Sequence, residues 1–405
     1  MTGPLDGLRV FDLTRVMAGP TCTQLLGDLG AEVIKVERPG VGDDTRNFGP
    51  PFLKDAAGND TTESAYYLSA NRNKRSITID LAERDGQDLA RRLVAHCDIL
   101  VENFRVGALA KYGLSYEHLK ADFPQLIYCS LTGFGQTGPY ASRPGYDVVA
   151  QAMGGIMSVT GEAQGEPQKV GVPIADIMAG MYAAIAVLAA ARHQAVTGEG
   201  EYIDLGLLDT QVAWLANQGM NYLISGEPPA RLGNAHPNIV PYQVFETADG
   251  YVVIAVANDA QFQRFCESAG VGELASEERF RTNAARVRNR AALIDRLKPI
   301  LAQHPTQYWL DSLDRLNVVC GPINTLDQVF AHPQLRHRDM VIDMPHALAG
   351  RNPVKFVGNP IKYANNPIAY RYPPPTLGQH TGEVLKELLD MGAEELEGLR
   401  TRGVI

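Results

Sequence analysis

Cysteine is scarce and scattered in this chain. Cys22, Cys97, Cys129, Cys266 and Cys320 form no CxxC pair and show no metal-ligand spacing. Their odd number and apolar neighbours fit buried thiols in a reducing compartment, so a cytoplasmic location is expected. Positive charge is in deficit: the formal net charge is -9, which argues against a nucleic-acid surface as the main business. The nine histidines follow neither an HxxxH nor an HExxH pattern, and no metal site is expected. GxSxG is absent, so a serine-hydrolase elbow is unsupported. GxGxxG is absent too, which discounts NAD. Residues 1–6 hold neither a basic nor an apolar leader region, and no signal peptide is expected. The longest apolar run, 178–191, is too short to span a bilayer. Neither internal repeats nor low-complexity tracts occur.

What is present points to a globular α/β protein. Hydrophobic residues make up 45% and charged residues 20% of 405 positions, enough for ample core and more than one domain. Residues 8–13 read as a strand, 14–20 as a Gly/Pro turn opening a helix through 22–29, and 31–37 as the next strand. This is the start of a Rossmann-like unit. Ala18-Gly19-Pro20 stands where the glycine fingerprint would be, and phosphates of another nucleotide can meet such a helix start. Residues 43–63 read as irregular and polar. Strands at 74–80, 98–102 and 126–131 alternate with helices at 84–96, 107–112 and 116–123, which predicts a parallel sheet with helices on both faces. A strand at 202–205 and one helix at 208–223 lead to Gly226-Glu-Pro-Pro229, the expected domain break. The expected division is therefore a large Rossmann-like domain over 1–225, a smaller α+β domain over 226–330, and a return linker with the closing part of the large domain over 331–405. In the smaller domain, 241–257 reads as a hairpin turning at Asp249-Gly250, with helices at 259–270, 289–303 and 306–316. A return segment at 319–329, an extended stretch at 353–370 and a closing helix at 382–389 follow.

Asp176 is the candidate for chemistry. It stands where a buried, Ala-rich helix begins, with no charge following until Arg192. Two readings are open. It is the helix cap, accepting an orphan backbone N–H. Or it is a nucleophile kept ionised by the helix N-terminus, whose N–H groups also hold a developing oxyanion. A cluster of basic residues, Arg15, Arg38, Arg46, Lys54, Arg72, Lys74, Arg75 and Lys111, reads either as solvated surface or as a phosphate-rich ligand site.

Several motifs in fixed order carry a family resemblance. Arg15-Val-Met-Ala-Gly-Pro-Thr-Cys-Thr-Gln24, Gly30-Ala-Glu-Val-Ile-Lys-Val-Glu-Arg38, Asn73-Lys-Arg-Ser76, Val101-Glu-Asn-Phe104 and Asp176 before its helix resemble the class III coenzyme A transferases. Thr197-Gly-Glu-Gly200, Gly321-Pro322 and Pro374-Pro-Thr-Leu-Gly-Gln-His-Thr381 match later motifs, so the resemblance covers nearly the whole chain. Residues 217–224 and 233–245 look most like the succinyl-CoA–glutarate branch. The resemblance implies that Asp176 forms an acyl anhydride and then a CoA thioester. It implies a CoA path along Val16, Met17 and Ala18, with Arg38 near the adenine and Ile79, Asn103, Phe104, Lys111 and Tyr112 along the rest. Tyr146 and Asp147 would fall beside the reacting carbonyl. It further implies a CoA thioester as substrate with no tightly bound cofactor, and a homodimer of two interlocked rings.

Two departures narrow the expectation. Ala-His-Pro-Asn-Ile-Val follows Asn234, where formyl-CoA transferases carry a Gly-rich loop over oxalate. Tyr146 stands where the racemase branch carries a histidine base, and a phenol with a pKa of about 10 replaces that base poorly. The alternatives are an α-methylacyl-CoA racemase or epimerase of the same family, and a CoA-binding protein without catalysis. For a dicarboxylate acceptor, Asn234, His236 and Asn238 would hold the far carboxylate, with Arg46 as candidate cation.

Overall fold

The computed structural model describes residues 3–405. Its chain divides into two compact units: Met1–Ile156, Lys169–Leu223 and Arg336–Ile405 form one, Met157–Gln168 and Ile224–Leu335 the other.

The first unit is built on six parallel strands. They are β1 (Arg9–Asp12), β2 (Glu32–Glu37), β3 (Lys74–Thr78), β4 (Ile99–Glu102), β5 (Ile127–Thr132) and β6 (Tyr202–Gly206). Their order is β3-β2-β1-β4-β5-β6, the order of doubly wound sheets. The direction of winding reverses between β1 and β4, which opens a crevice at the carboxyl ends of those two strands. Alternate side chains enter opposite cores, as strand geometry requires. Phe11, Ile34, Leu100 and Tyr128 meet Leu89 and Leu93 on one face. Val10, Val33, Ile99 and Ile127 meet Leu26, Ala179, Ala183 and Val187 on the other.

Four helices of this unit matter for the site: α1 (Ala18–Asp28), α2 (Arg84–Val94), α3 (Asp147–Met153) and α4 (Ile174–Thr197). The 24 residues of α4 are long and apolar enough to cross a membrane by length and composition, more than the 178–191 run suggests. Its Ala175, Ala179, Ala183 and Val187 edge is buried in the protein core instead. Small side chains let α4 approach α1 closely. A Cβ on Gly180 would fall 2.5 Å from the Ala18 carbonyl oxygen, so any larger residue there would push apart the amino-terminal ends of the two helices.

Four stretches differ from the sequence expectation. The 43–63 segment is ordered: a 3-10 turn at Asp44–Asn47, then a hairpin of Phe52–Lys54 with Asp60–Ser64. The single helix at 208–223 is two, Leu207–Ala213 and Ala216–Ser225, broken where Ala216 takes φ 45. The extended 353–370 stretch includes Val354–Val357, which pairs with Val341–Met344. A second closing helix, Ala393–Thr401, follows Thr381–Leu389 and buries Leu396 and Leu399.

The second unit has its own core of Phe245, Phe262, Phe265, Phe280 and Trp309. Its antiparallel sheet joins β7 (Tyr242–Glu246), β8 (Tyr251–Ala255) and β9 (Val319–Pro322) in the order β9-β8-β7. The expected hairpin is β7–β8, and the return segment supplies the third strand. Asp249 at the turn accepts the Thr306 N–H at 2.7 Å, tying the turn to the start of the helix Thr306–Asp314.

Candidate active site

The loops after β1 and β4 wall two neighbouring cavities at the crevice. The first, of about 190 Å³, is lined by Val16, Met17, Ala18, Phe104, Tyr146 and Asp176 among others. The second, of about 330 Å³, includes Arg38, Ile79, Phe104 and Tyr112. Arg15, Asp44 and Phe104 line both. Nine of the eleven residues expected along the CoA path and at the reacting carbonyl, Asn103 among them, therefore line one cavity or the other, as does Asp176. Lys111 lines neither. It is exposed, with its Nζ 4.7 Å from the Tyr112 ring centroid. Asp147 lines neither cavity and is bonded to the start of α4 instead.

Asp176 is not the helix cap. It is the third residue of α4, whose N-cap position is Pro173. Asp147 does the capping from α3: its Oδ1 accepts the Ala175 N–H at 2.8 Å and the Asp176 N–H at 3.4 Å. Gln151 Nε2 donates to Asp147 Oδ2 at 2.7 Å, and Gln151 Oε1 accepts the Val170 N–H at 2.9 Å. The N–H groups expected to hold an oxyanion are thus already engaged. Nor does the helix start keep Asp176 comfortably ionised. Burial, with Asp147 as a second negative charge, pushes its carboxyl up to about 7.

The turn carrying Val16, Met17 and Ala18 is held under strain. Val16 takes φ 69, a left-handed conformation that costs a β-branched residue on the order of 1–3 kcal/mol. Asp43 Oδ1 accepts its N–H at 3.2 Å. Lys35 Nζ donates to Asp43 Oδ2 and to the Thr14 carbonyl, each at 2.9 Å. Burial would push Asp43 up, but Lys35 and the Thr45 donors hold it at about 2. Asn103 fastens the other side of this turn. Its Oδ1 accepts the Arg15 N–H at 2.9 Å and its Nδ2 donates to the Arg15 carbonyl at 2.7 Å. Its side chain is spent on the wall.

The basic cluster resolves into two groups, and neither reading covers both. Arg46, Arg72, Lys74 and Arg75 are buried and paired with Glu37, Asp28, Asp12 and Glu32. Arg46 also meets Glu63, the Tyr67 hydroxyl and the Pro375 carbonyl, which removes it as a cation for an acceptor carboxylate. Arg15, Arg38, Lys54 and Lys111 are exposed. In the second unit, His236 stacks on Tyr242 at 5.1 Å. Its Nδ1 accepts the Asn238 N–H at 3.1 Å. Arg290 Nη2 donates to the carbonyls of His236 and Pro237 at 2.7 and 2.9 Å.

Tyr66 escapes the sequence reading. Its phenol is pushed up by burial and then by Asp176 and Asp147, so it lies within electrostatic reach of both. Its ring packs edge-on to Phe48 at 5.6 Å. It sits on the one-turn helix Ala65–Leu68, after a stretch with no periodicity to mark it.

The sequence profile of CoA-transferase family III matches residues 5–381. The chain belongs to CoA-transferase family III. It is 49% identical over 387 residues to succinate–glutarate CoA-transferase of Agrobacterium fabrum, covering 95% of this chain and 96% of that one. It is 44% identical over 402 residues to the human succinyl-CoA:glutarate CoA-transferase, covering 99% and 90%. Among solved structures, a CAIB/BAIF family protein from Brucella suis superposes with a TM-score of 0.84 at 50% identity, covering 96% of this chain and all of that one. This family III member is an enzyme that transfers CoA between acyl-CoA thioesters and carboxylic acids.

Proposed function

We propose that this transferase moves CoA from succinyl-CoA to a dicarboxylate such as glutarate, through covalent intermediates on Asp176. One observation carries the mechanism: Asp176 is a buried carboxylate at a cavity wall whose burial no cation or hydrogen-bond donor among the described residues offsets. An oxygen so placed is free to attack. Its carboxylate adds to the donor thioester carbonyl, giving an aspartyl-acyl anhydride and CoA thiolate. The thiolate attacks the aspartyl carbonyl of that anhydride, giving an aspartyl-CoA thioester and the free donor acid. The acceptor carboxylate attacks in turn, regenerating an anhydride and thiolate. Attack of the thiolate on the acceptor carbonyl then releases the new acyl-CoA and restores Asp176. Because Asp147 engages the α4 amides, the oxyanion is assigned to the first turn of α1, which begins at Ala18 with no side-chain cap.

The CoA path runs along both cavities, with its nucleotide end toward Arg38. Free thiols at all five cysteines support a cytoplasmic setting. The exposed strip of Met181, Tyr182 and Ile185 on α4 supports a homodimer that buries it; the interlocked rings rest on the family resemblance alone. The dicarboxylate rests on the names of relatives.

Glutarate against butyrate as acceptor, with succinyl-CoA as donor, tests the acid. Loss of the far carboxylate leaves its donors unpaired, which is expected to lower kcat/KM about ten- to a hundredfold. Equal values for the two acids would contradict a dicarboxylate site and leave CoA transfer standing.

A further inference from the structure

One carboxylate beside the cavities has no part in the scheme above. Glu102 closes β4 and is 5% exposed. Its Oε2 accepts the Phe104 N–H at 2.7 Å. Its Oε1 accepts the Ser130 hydroxyl from β5. Ser130 Oγ accepts Gln136 Nε2 at 2.6 Å, and the Gln136 N–H donates to Asp204 at 3.0 Å. The titratable groups facing Glu102 are Tyr128 and Cys129 on β5 and Tyr202 on β6. None is a cation, and among the described residues no lysine, arginine or histidine offsets its charge.

An unpaired buried carboxylate is a costly way to hold a turn. The turn it holds is the one both cavities share. Phe104 lines both, and Asn103 beside it clamps the Arg15 backbone that carries the opposite wall. A small shift of Phe104 therefore reshapes the passage at its middle. Resting on the reading that a CoA thioester fills these cavities, we propose that Glu102 is a positioning residue for that ligand, fixing the Asn103–Phe104 turn through the Phe104 N–H. Burial pushes its carboxyl up to about 7. The charge-assisted bond to Phe104 is present above that pH and gives way to a weaker neutral one below it.

Free CoA, titrated calorimetrically on either side of pH 7, is the probe. Glu102→Ala is expected to weaken CoA binding about tenfold on the alkaline side, with kcat at saturation lowered much less. Glu102→Gln keeps the shape and an acceptor for Phe104. It is expected to bind within about threefold of the parent and to lose the part of the pH dependence that Glu102 supplies. The phosphates of CoA and Asp176 titrate in both proteins, so the difference between the two profiles is the readout. Parallel profiles, or parent-like binding by Glu102→Ala, overturn the positioning role. Should Glu102→Ala fail to fold, the difference profile decides alone. Phe104→Ala separates this inference from the reading beneath it. If that variant binds CoA like the parent, the cavities are not the CoA site and both ideas fall. If it weakens binding while Glu102→Ala does not, only the role of Glu102 falls.

Discussion

Asp12 and Asp176 are both buried carboxylates of the same unit, 0% and 9% exposed, and their surroundings are opposite. Asp12 ends β1 facing Lys74 at 3.2 Å, and it accepts the hydroxyls of Thr14 and Thr23, each at 2.6 Å. Burial pushes it up, but Lys74, Lys35 and the two hydroxyls prevail and hold it below its ordinary value. Burial and a second carboxylate, Asp147, act on Asp176 with no cation beside them among the described residues, and its carboxyl rises to about 7. Pairing turns Asp12 into a structural fastener; Asp176, unpaired and at a cavity wall, keeps its carboxyl raised at a cost in stability.

That contrast breaks most visibly in activity. Asp176→Asn keeps the side-chain shape and removes the proposed nucleophile, so transfer is expected to fall by more than about a thousandfold, roughly 4 kcal/mol at the barrier. A variant keeping a tenth of the parent kcat would refute the covalent route. Thermal unfolding sharpens the same comparison. A raised carboxyl favours the folded state below its ordinary pKa and loses that contribution as pH rises through about 7. Asp176→Asn is therefore expected to melt at or above the parent temperature at alkaline pH, with the gain shrinking in acid. Asp12→Ala is expected to do the reverse. It strands Lys74 and costs about 3–5 kcal/mol, read as a lower denaturant midpoint. Equal stability changes for the two variants would erase the distinction.

The pH profile is a smaller lever. The proposed attack needs ionised Asp176, so kcat/KM is expected to fall as pH drops through about 7. Asp147→Asn removes the second cause of the shift while burial, the larger one, stays. The acid limb should move down by about half to one unit. An unmoved limb would assign it to another group. Smallest is the nucleotide end. Arg38→Ala is expected to raise KM for succinyl-CoA about three- to tenfold with kcat nearly unchanged. Lys111→Ala, outside both cavities, should change KM less; a larger effect there would move the nucleotide off the Arg38 cavity.

Much of the frame is legible in the sequence because periodicity reports it. The β1–α1–β2 start, the parallel alternation and the β7–β8 hairpin follow from apolar spacing and turn residues. Partners do not show in the same way. Arg46 meets Glu37, Glu63 and Pro375, which are 9, 17 and 329 positions away, and nothing in one dimension separates it from exposed Arg38. Asp176 stood out by its place at a helix start, while the residue capping that helix lies 29 positions earlier. Tyr66 and the hairpin before it were hidden because short polar strands carry no alternation.

In the proposed mechanism Asp176 is first acylated and then carries CoA as a thioester during turnover. Incubation with succinyl-CoA, rapid quenching and peptide mass spectrometry test it directly. A CoA thioester is expected on the peptide containing Asp176, lost on adding acceptor acid and absent from Asp176→Asn. Turnover at the parent rate with no adduct on that peptide, or an adduct that survives in Asp176→Asn, would contradict it.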